Sequence, residues 1–149
     1  MLTLNAENKK INLVFKTRKL VDISNKLKGK NFEEVFFKAI KDLDLDALSK
    51  IIFVLAEYED EKDAFNSSQE VYDFIDEFKS ENKKTYSDIF QEIAEAINKE
   101  GFFNTKMTKE QLKERISNPL LQMNLEDITK TSIEKAMANI AEKEIISQV

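Results

Sequence analysis

Acidic side chains are the commonest charged groups in this sequence, and two short acidic stretches could in principle bind a metal ion. Glu59, Glu61 and Asp63 stand at positions 1, 3 and 5 relative to Glu70 at position 12, which is the ligand spacing of an EF-hand calcium loop. Such a loop needs Gly at position 6 for its sharp turn, and Ala64 stands there. The run from Asp42 to Asp46 also lacks this Gly. We therefore expect no metal site.

The residue types that most often carry out catalysis are missing from the chain. It contains no Cys and no His, which removes thiolate nucleophiles and the commonest general base. Gly29 and Gly101 are the only glycines, so no glycine-rich phosphate loop is expected. Carboxylate pairs occur because acidic residues are abundant, and nothing singles out one pair. The sequence therefore predicts a protein that is not an enzyme and has no catalytic residue and no cofactor.

The charge is distributed unevenly along the chain. Residues 9–30 hold eight basic side chains against Asp22 alone, a balance of +7, so the remainder must carry −12 to give the net charge of −5. Such polarity suits an oriented partner or head-to-tail self-association. A solvated basic helix face would give the same pattern. The charged candidates for partner binding or self-association are Lys16, Arg18 and Lys19 in the basic part and Glu59, Asp60 and Glu61 in the acidic part. The acidic remainder and the lack of a known motif argue against a nucleic-acid partner.

Hydrophobic spacing predicts a mainly α fold, in which a short N-terminal β-hairpin packs on a bundle of about six to seven helices. Apolar residues alternate with polar ones on both sides of residues 6–10, so we predict a hairpin over residues 2–16, with Asn8 in the left-handed conformation of a tight turn. From Thr17 onward the spacing is helical. Gly29 is predicted to end the first helix. Side chains predicted to cap later helices are Asn31, Asp44, Ser67, Thr85 and Thr108.

Two features set the expected organisation of the chain. The helix with Leu48, Ile51 and Leu55 is apolar nearly all round and is predicted to be the most buried element, followed by a surface loop over residues 57–63. We expect a helical domain over residues 1–118. Pro119 then begins a helical extension over residues 119–149, which docks either on this domain or on a partner.

Apolar residues exceed what the predicted core can use in three places: Phe53–Val54, Phe102–Phe103, and the segment with Leu120, Leu121 and Met123. Exposed apolar patches mark partner sites. Met107 and Met123 lie in the same third of the chain, and Met suits adaptable binding surfaces, although a place in the core is the alternative for all of them.

The order of these elements resembles a known protein family. A hairpin with Leu2-Thr-Leu-Asn5 and Ile11-Asn-Leu-Val-Phe15 leads into a chain of short helices that includes Leu45-Asp-Ala-Leu48 and Val71-Tyr-Asp-Phe-Ile-Asp76. Over residues 2–100 this is similar to the tail assembly chaperones of siphophages and prophages of Gram-positive bacteria. Asn8-Lys9 stands where those proteins often have Gly-Lys.

The resemblance implies a non-catalytic chaperone. Such proteins bind and shield the long, helical tape measure protein while the tail tube forms around it, and then leave, so they are absent from the finished virion. The implied partners are the tape measure protein, the tail tube protein and further copies of the chain. The alternative is an acidic phage or mobile-element protein that inhibits a host nucleic-acid-binding protein through residues 57–63.

The sequence predicts a cytoplasmic site of action and no membrane partner. Residues 1–10 lack the basic start and apolar run of a signal peptide. The longest apolar run, Ile51 to Ala56, is far shorter than the roughly 18 residues of a membrane span.

Overall fold

The computed structural model describes residues 1–117, which form a mainly α-helical fold with a short antiparallel sheet near the N-terminus, as predicted. The described elements are β1 (Leu2–Ala6), β2 (Lys9–Leu13), α1 (Thr17–Lys26), α2 (Phe32–Asp42), α3 (Leu45–Leu55), β3 (Ala56–Glu57), α4 (Ser68–Asn82), α5 (Tyr86–Lys99) and α6 (Lys109–Ser117). The chain divides into two units, Met1–Leu112 and Lys113–Val149. The predicted extension over residues 119–149 lies outside the described residues.

The predicted hairpin is confirmed, and it pairs with a third strand that the sequence did not reveal. Leu4 pairs with Ile11 between β1 and β2, and Leu13 pairs with Ala56 between β2 and β3. Leu4, Ile11 and Leu13 are buried, which is the apolar face expected from the alternation. β3 is missed by pattern analysis because two residues are too few to show a period of two.

The hairpin turn is held by α4. Asn8 keeps a negative φ, so its predicted left-handed conformation is wrong. Its amide nitrogen donates instead to Glu77 (2.9 Å), and the backbone N–H of Glu7 donates to Glu81 (2.7 Å). Asn82 completes the contact by donating to the carbonyl of Asn5 (3.1 Å). A lone hairpin is marginal in water, and these contacts join it to the helical part of the fold.

All five predicted capping side chains are confirmed. Each accepts a hydrogen bond from the backbone N–H three residues later, which satisfies one of the unpaired donors of the first helical turn. The donor–acceptor distances are 2.9 Å for Asn31, 3.0 Å for Asp44, 3.3 Å for Ser67, 3.0 Å for Thr85 and 3.1 Å for Thr108.

Gly29 takes part in ending α1, as predicted, by donating its N–H to the carbonyl of Ser24 at 3.0 Å, and it also has a second role. α1 ends at Lys26, and it is Lys28 that takes the left-handed conformation after it, with φ of 58°. A Cβ placed on Gly29 would lie 1.9 Å from Cγ1 of Val35. Gly29 is therefore needed for the close approach of the α1–α2 connection to α2. Gly101, by contrast, follows α5 with φ of 80°, as expected for a glycine that ends a helix.

The core is built around α3 and a group of phenylalanines. Leu48, Ile51, Ile52 and Leu55 of α3 are almost fully buried, which confirms the prediction for this helix. A cluster of rings joins α2, α5 and the segment that follows α5, through Phe32, Phe36, Phe37, Phe90 and Phe103.

Candidate protein-binding surfaces

A groove between α1 and the C-terminal end of α3 brings together two features predicted from the sequence. Its apolar floor includes Phe53 and Val54, both half-buried, and its volume is about 400 Å³. Arg18 and Lys19 from the basic part of the chain lie along its edge. The remaining lining residues are Asp22, Lys26, Asp63 and Phe65. We call this the basic groove.

Lys19 builds the wall of the basic groove. Its side chain is 8% exposed, and its Nζ lies 2.5 Å from a carboxylate oxygen of Glu57, which is 5% exposed. The same Nζ donates to the carbonyl of Leu55 at 3.2 Å. Burial disfavours ionisation of Glu57, but the hydrogen bond and charge of Lys19, with a smaller effect of Lys16, hold the pKa of this carboxyl below its usual range.

The predicted surface loop over residues 57–63 is therefore wrong at its first residue. Glu57 lies in β3 and is buried, because Lys16 and Lys19 of the basic part compensate its charge. The sequence could not show this pairing, since Lys19 and Glu57 are far apart along the chain and neither has a distinctive neighbour.

The other charged candidates differ in their exposure to solvent. Lys16 is half-buried, with its Nζ 3.6 Å from Glu57, whereas Arg18 is exposed at the basic groove. Glu59, Asp60 and Glu61 are exposed and form a tight turn in which the N–H of Glu61 donates to the carbonyl of Tyr58. Of the six, Arg18 is the one that both faces solvent and lines a groove.

The two adjacent phenylalanines have separate environments. Phe103 is 6% exposed and packs on Phe37, with ring centroids 5.0 Å apart, so it belongs to the core and is closed to a partner. Phe102 is half-buried, and its ring lies 6.3 Å from that of Phe15. The remaining apolar candidates, Leu120, Leu121 and Met123, lie outside the described residues.

A second surface, at the N-terminal end of α3, was not predicted. Leu45 and Tyr72 line a groove of about 350 Å³ and are 42% and 43% exposed, and Leu43, two residues before Leu45, is 44% exposed. Asp46 and Asp76 line the same groove, and no lysine or arginine is among its described lining residues. We call Leu43, Leu45, Asp46, Tyr72 and Asp76 the acidic face.

The sequence held a signal for the acidic face. Leucines alternate with aspartates from Asp42 to Asp46, where α2 ends and α3 begins. Leu43 follows the last residue of α2 and Leu45 is the first residue of α3, and both are exposed. Leu43 even takes the left-handed conformation, with φ of 50°, in which a side chain costs roughly 1–2 kcal/mol.

A third groove, of about 480 Å³, lies along α5. Glu92, Ala96 and Lys99 line it from one face of the helix, since they are spaced four and three residues apart, and Glu95 lies beside them. Apolar lining comes from Met1, Leu2, Met107 and Leu112, with Asn98 and Lys109 completing it. Asn98 fixes Met107 by donating to its carbonyl (2.8 Å) and accepting from its N–H (3.0 Å). We call this the methionine groove.

The three grooves mix carboxylates, lysines and one arginine with apolar residues. Residues 1–117 contain no group of three or more acidic side chains placed to hold a metal ion. What the grooves can do chemically is bind apolar side chains and orient them by charge.

Within the described part of the chain, no helix has the length and apolar character that crossing a membrane requires. Comparisons with protein-family models, with curated proteins and with solved structures found no match to this chain.

Proposed function

We propose that this protein is a non-catalytic chaperone that binds and shields apolar helical segments of a long partner, as a tail assembly chaperone does for the tape measure protein. The methionine groove is the observation that carries the proposal. Its apolar lining surrounds an open space of about 480 Å³ at the surface of the described residues, and apolar residues exposed in this way mark partner sites.

The groove suits a helix better than an extended chain. Ala96 stands at the centre of the α5 face, between Glu92 and Lys99. Because alanine is small, a partner helix can approach α5 to the 8–10 Å that is usual between packed helices. An amphipathic helix would place its apolar stripe against Ala96 and the flanking methionines.

Methionine also suits a chaperone that must bind many different segments. The side chain is flexible and polarisable, so it can follow irregular partner surfaces. Carboxylates on the α5 side and Lys109 on the other give the groove both signs of charge, which favours no single client sequence. Affinity for a long client would then come from several copies bound along it.

In this proposal the protein acts in the cytoplasm of the host cell, on the tape measure protein and in the neighbourhood of the tail tube protein. The alternative, an acidic inhibitor, has less support. It requires an open acidic cluster at residues 57–63, but Glu57 is buried against Lys19 and Glu59 lies 3.4 Å from Lys10.

A substitution in the methionine groove tests the proposal. Ala96→Arg places a long charged side chain where the client helix should lie, whereas Ser87→Arg adds the same charge at an exposed position of the same helix. Each variant is co-expressed with a tape measure protein, the client that the proposal names. We expect Ala96→Arg to lower the soluble yield of that protein at least tenfold and Ser87→Arg to leave it unchanged. Equal yields with both variants would contradict client binding in this groove.

A further inference from the structure

The charges that line the methionine groove change sign along α5. Glu92 and Glu95 line it from the middle of the helix, and Lys99 lines it as the last residue of the helix. With a rise of about 1.5 Å per residue, Glu92 and Lys99 lie roughly 10 Å apart along the helix axis. A client helix of ordinary length in this groove would therefore meet both signs of charge.

The acidic end keeps a negative charge after its ion pair is counted. Lys84 lies 2.7 Å from Glu92 and compensates its charge. Glu95 is exposed, accepts a hydrogen bond from the neutral side chain of Gln91 (3.2 Å) and makes no ion pair among the described residues. The uncompensated charge at this end is therefore that of Glu95.

The basic end is formed by two segments of the chain. Asn98, which precedes Lys99, is hydrogen-bonded to both backbone polar groups of Met107. Lys109 follows Met107 by two residues, which is a span of at most about 7 Å. Lys99 and Lys109 thus line the same end of the groove, and both are exposed.

The carboxylates near the basic end do not cancel its charge. Glu100 follows Lys99 but is paired with the amino group of Met1. Glu110 follows Lys109 and is not among the described residues that line the groove. Lys99 and Lys109 make no ion pair within residues 1–117, so this end stays positive.

We infer that the methionine groove binds its client helix in one direction, antiparallel to α5. The client is an amphipathic helix with acidic residues in its N-terminal half, beside Lys99 and Lys109, and basic residues in its C-terminal half, beside Glu95. Helices commonly have this charge order, because the helix dipole favours acidic side chains in the first turn and basic ones in the last. The groove therefore selects a direction and not a single sequence. The inference rests on the proposed function, since it presupposes client binding in this groove.

Two synthetic helical peptides test the direction with the purified full chain. They share one apolar stripe and one composition, but the first has glutamates in its N-terminal half and lysines in its C-terminal half, and the second has the reverse order. In isothermal titration calorimetry, we expect the first to bind more tightly by at least about threefold, since exposed charge pairs contribute weakly. This preference should disappear at high salt.

A charge swap in the protein separates groove contacts from the helical stability of the peptides. The double variant Glu95→Lys, Lys99→Glu keeps the net charge and changes two exposed residues, so circular dichroism can verify its folding. It should lose the preference or reverse it. Equal binding of the two peptides by the wild type would overturn the inference and leave client binding intact, and so would a preference that the swap does not change. Binding of neither peptide would contradict the client groove itself, and the inference with it.

Discussion

The ammonium group of Lys19 lies 2.5 Å from the carboxylate of Glu57 and joins the first turn of α1 to β3. A second contact, from the same nitrogen to the carbonyl of Leu55, extends this link to the end of α3. Lys19 is at the same time a wall of the basic groove. The ion pair therefore fixes the position of α1 relative to α3, and with it the shape of the groove between them.

Removing one partner of this pair should destabilise the protein. Glu57→Gln leaves the buried ammonium of Lys19 without its counter-charge, and breaking a buried pair costs roughly 3 kcal/mol at the lower end of the usual range. Glu59→Gln is the matched control, because Glu59 faces solvent near Lys10 and such pairs contribute about 0–1 kcal/mol. Urea unfolding measures both variants. Equal losses of unfolding free energy would show that burial of the Lys19–Glu57 pair is unimportant.

The same pair predicts a dependence of stability on pH. The pKa of Glu57 is lower in the folded protein than in the unfolded chain, so its ionised form stabilises the fold above the unfolded value of about 4.3. That contribution is lost as the pH falls through the folded pKa. We expect the difference in unfolding free energy between wild type and Glu57→Gln to shrink from pH 7 to pH 3. A difference that stays constant over this range would contradict the assigned pKa shift.

A second carboxyl with a lowered pKa, that of Asp88, does not affect this comparison of wild type with Glu57→Gln. The backbone N–H and hydroxyl of Thr85 hold the pKa of Asp88 below its usual range at the start of α5. Acid weakens this cap equally in both proteins. Subtracting the two pH profiles therefore removes its effect and isolates that of Glu57.

Gly29 should tolerate no side chain. Because a Cβ there would lie 1.9 Å from Cγ1 of Val35, Gly29→Ala forces this side chain or α2 to shift, and overpacking of this kind costs about 1–3 kcal/mol. Val35→Ala removes the clashing methyl group, so the double variant should be more stable than the sum of the single effects predicts. Thermal unfolding of the four proteins measures this coupling. Strictly additive effects would mean that the two residues do not collide.

Leu43 offers a test of backbone strain. Leu43→Gly relieves the left-handed strain and should raise the unfolding free energy by about 1 kcal/mol. Lys83→Gly should act in the same way, since Lys83 has nearly the same conformation, with φ of 54°, after α4. Urea unfolding measures both variants. A loss of stability in either variant would contradict the strain assigned to its position.

Local signals predicted most of the fold. The hairpin, the helix starts and the buried α3 follow from spacing and capping chemistry, which depend on residues close together in the chain. The left-handed conformation predicted for Asn8 was wrong. Asn permits such a turn, but the side chain of Asn8 donates instead to Glu77, and the local sequence does not reveal this contact or the approach of Val35 to Gly29.

The binding surfaces were predicted only in part. Phe53, Val54 and Arg18 were candidates from the sequence, and the structure brings them into one groove. Phe103 was offered as a partner residue and lies in the core, because aromatic rings from α2 cover it. Whether an apolar residue is surplus depends on what packs over it. Composition alone therefore could not separate Phe103 from the exposed Leu45.

Shielding of a helical client by several copies is the central claim, and the mass of the co-expressed complex tests it most directly. The protein is co-expressed with a tape measure protein as the client, and the soluble fraction is analysed by size-exclusion chromatography with light scattering. The proposal predicts that the client is soluble and elutes with more than one copy of this protein. A client that stays insoluble while this protein elutes alone would contradict it.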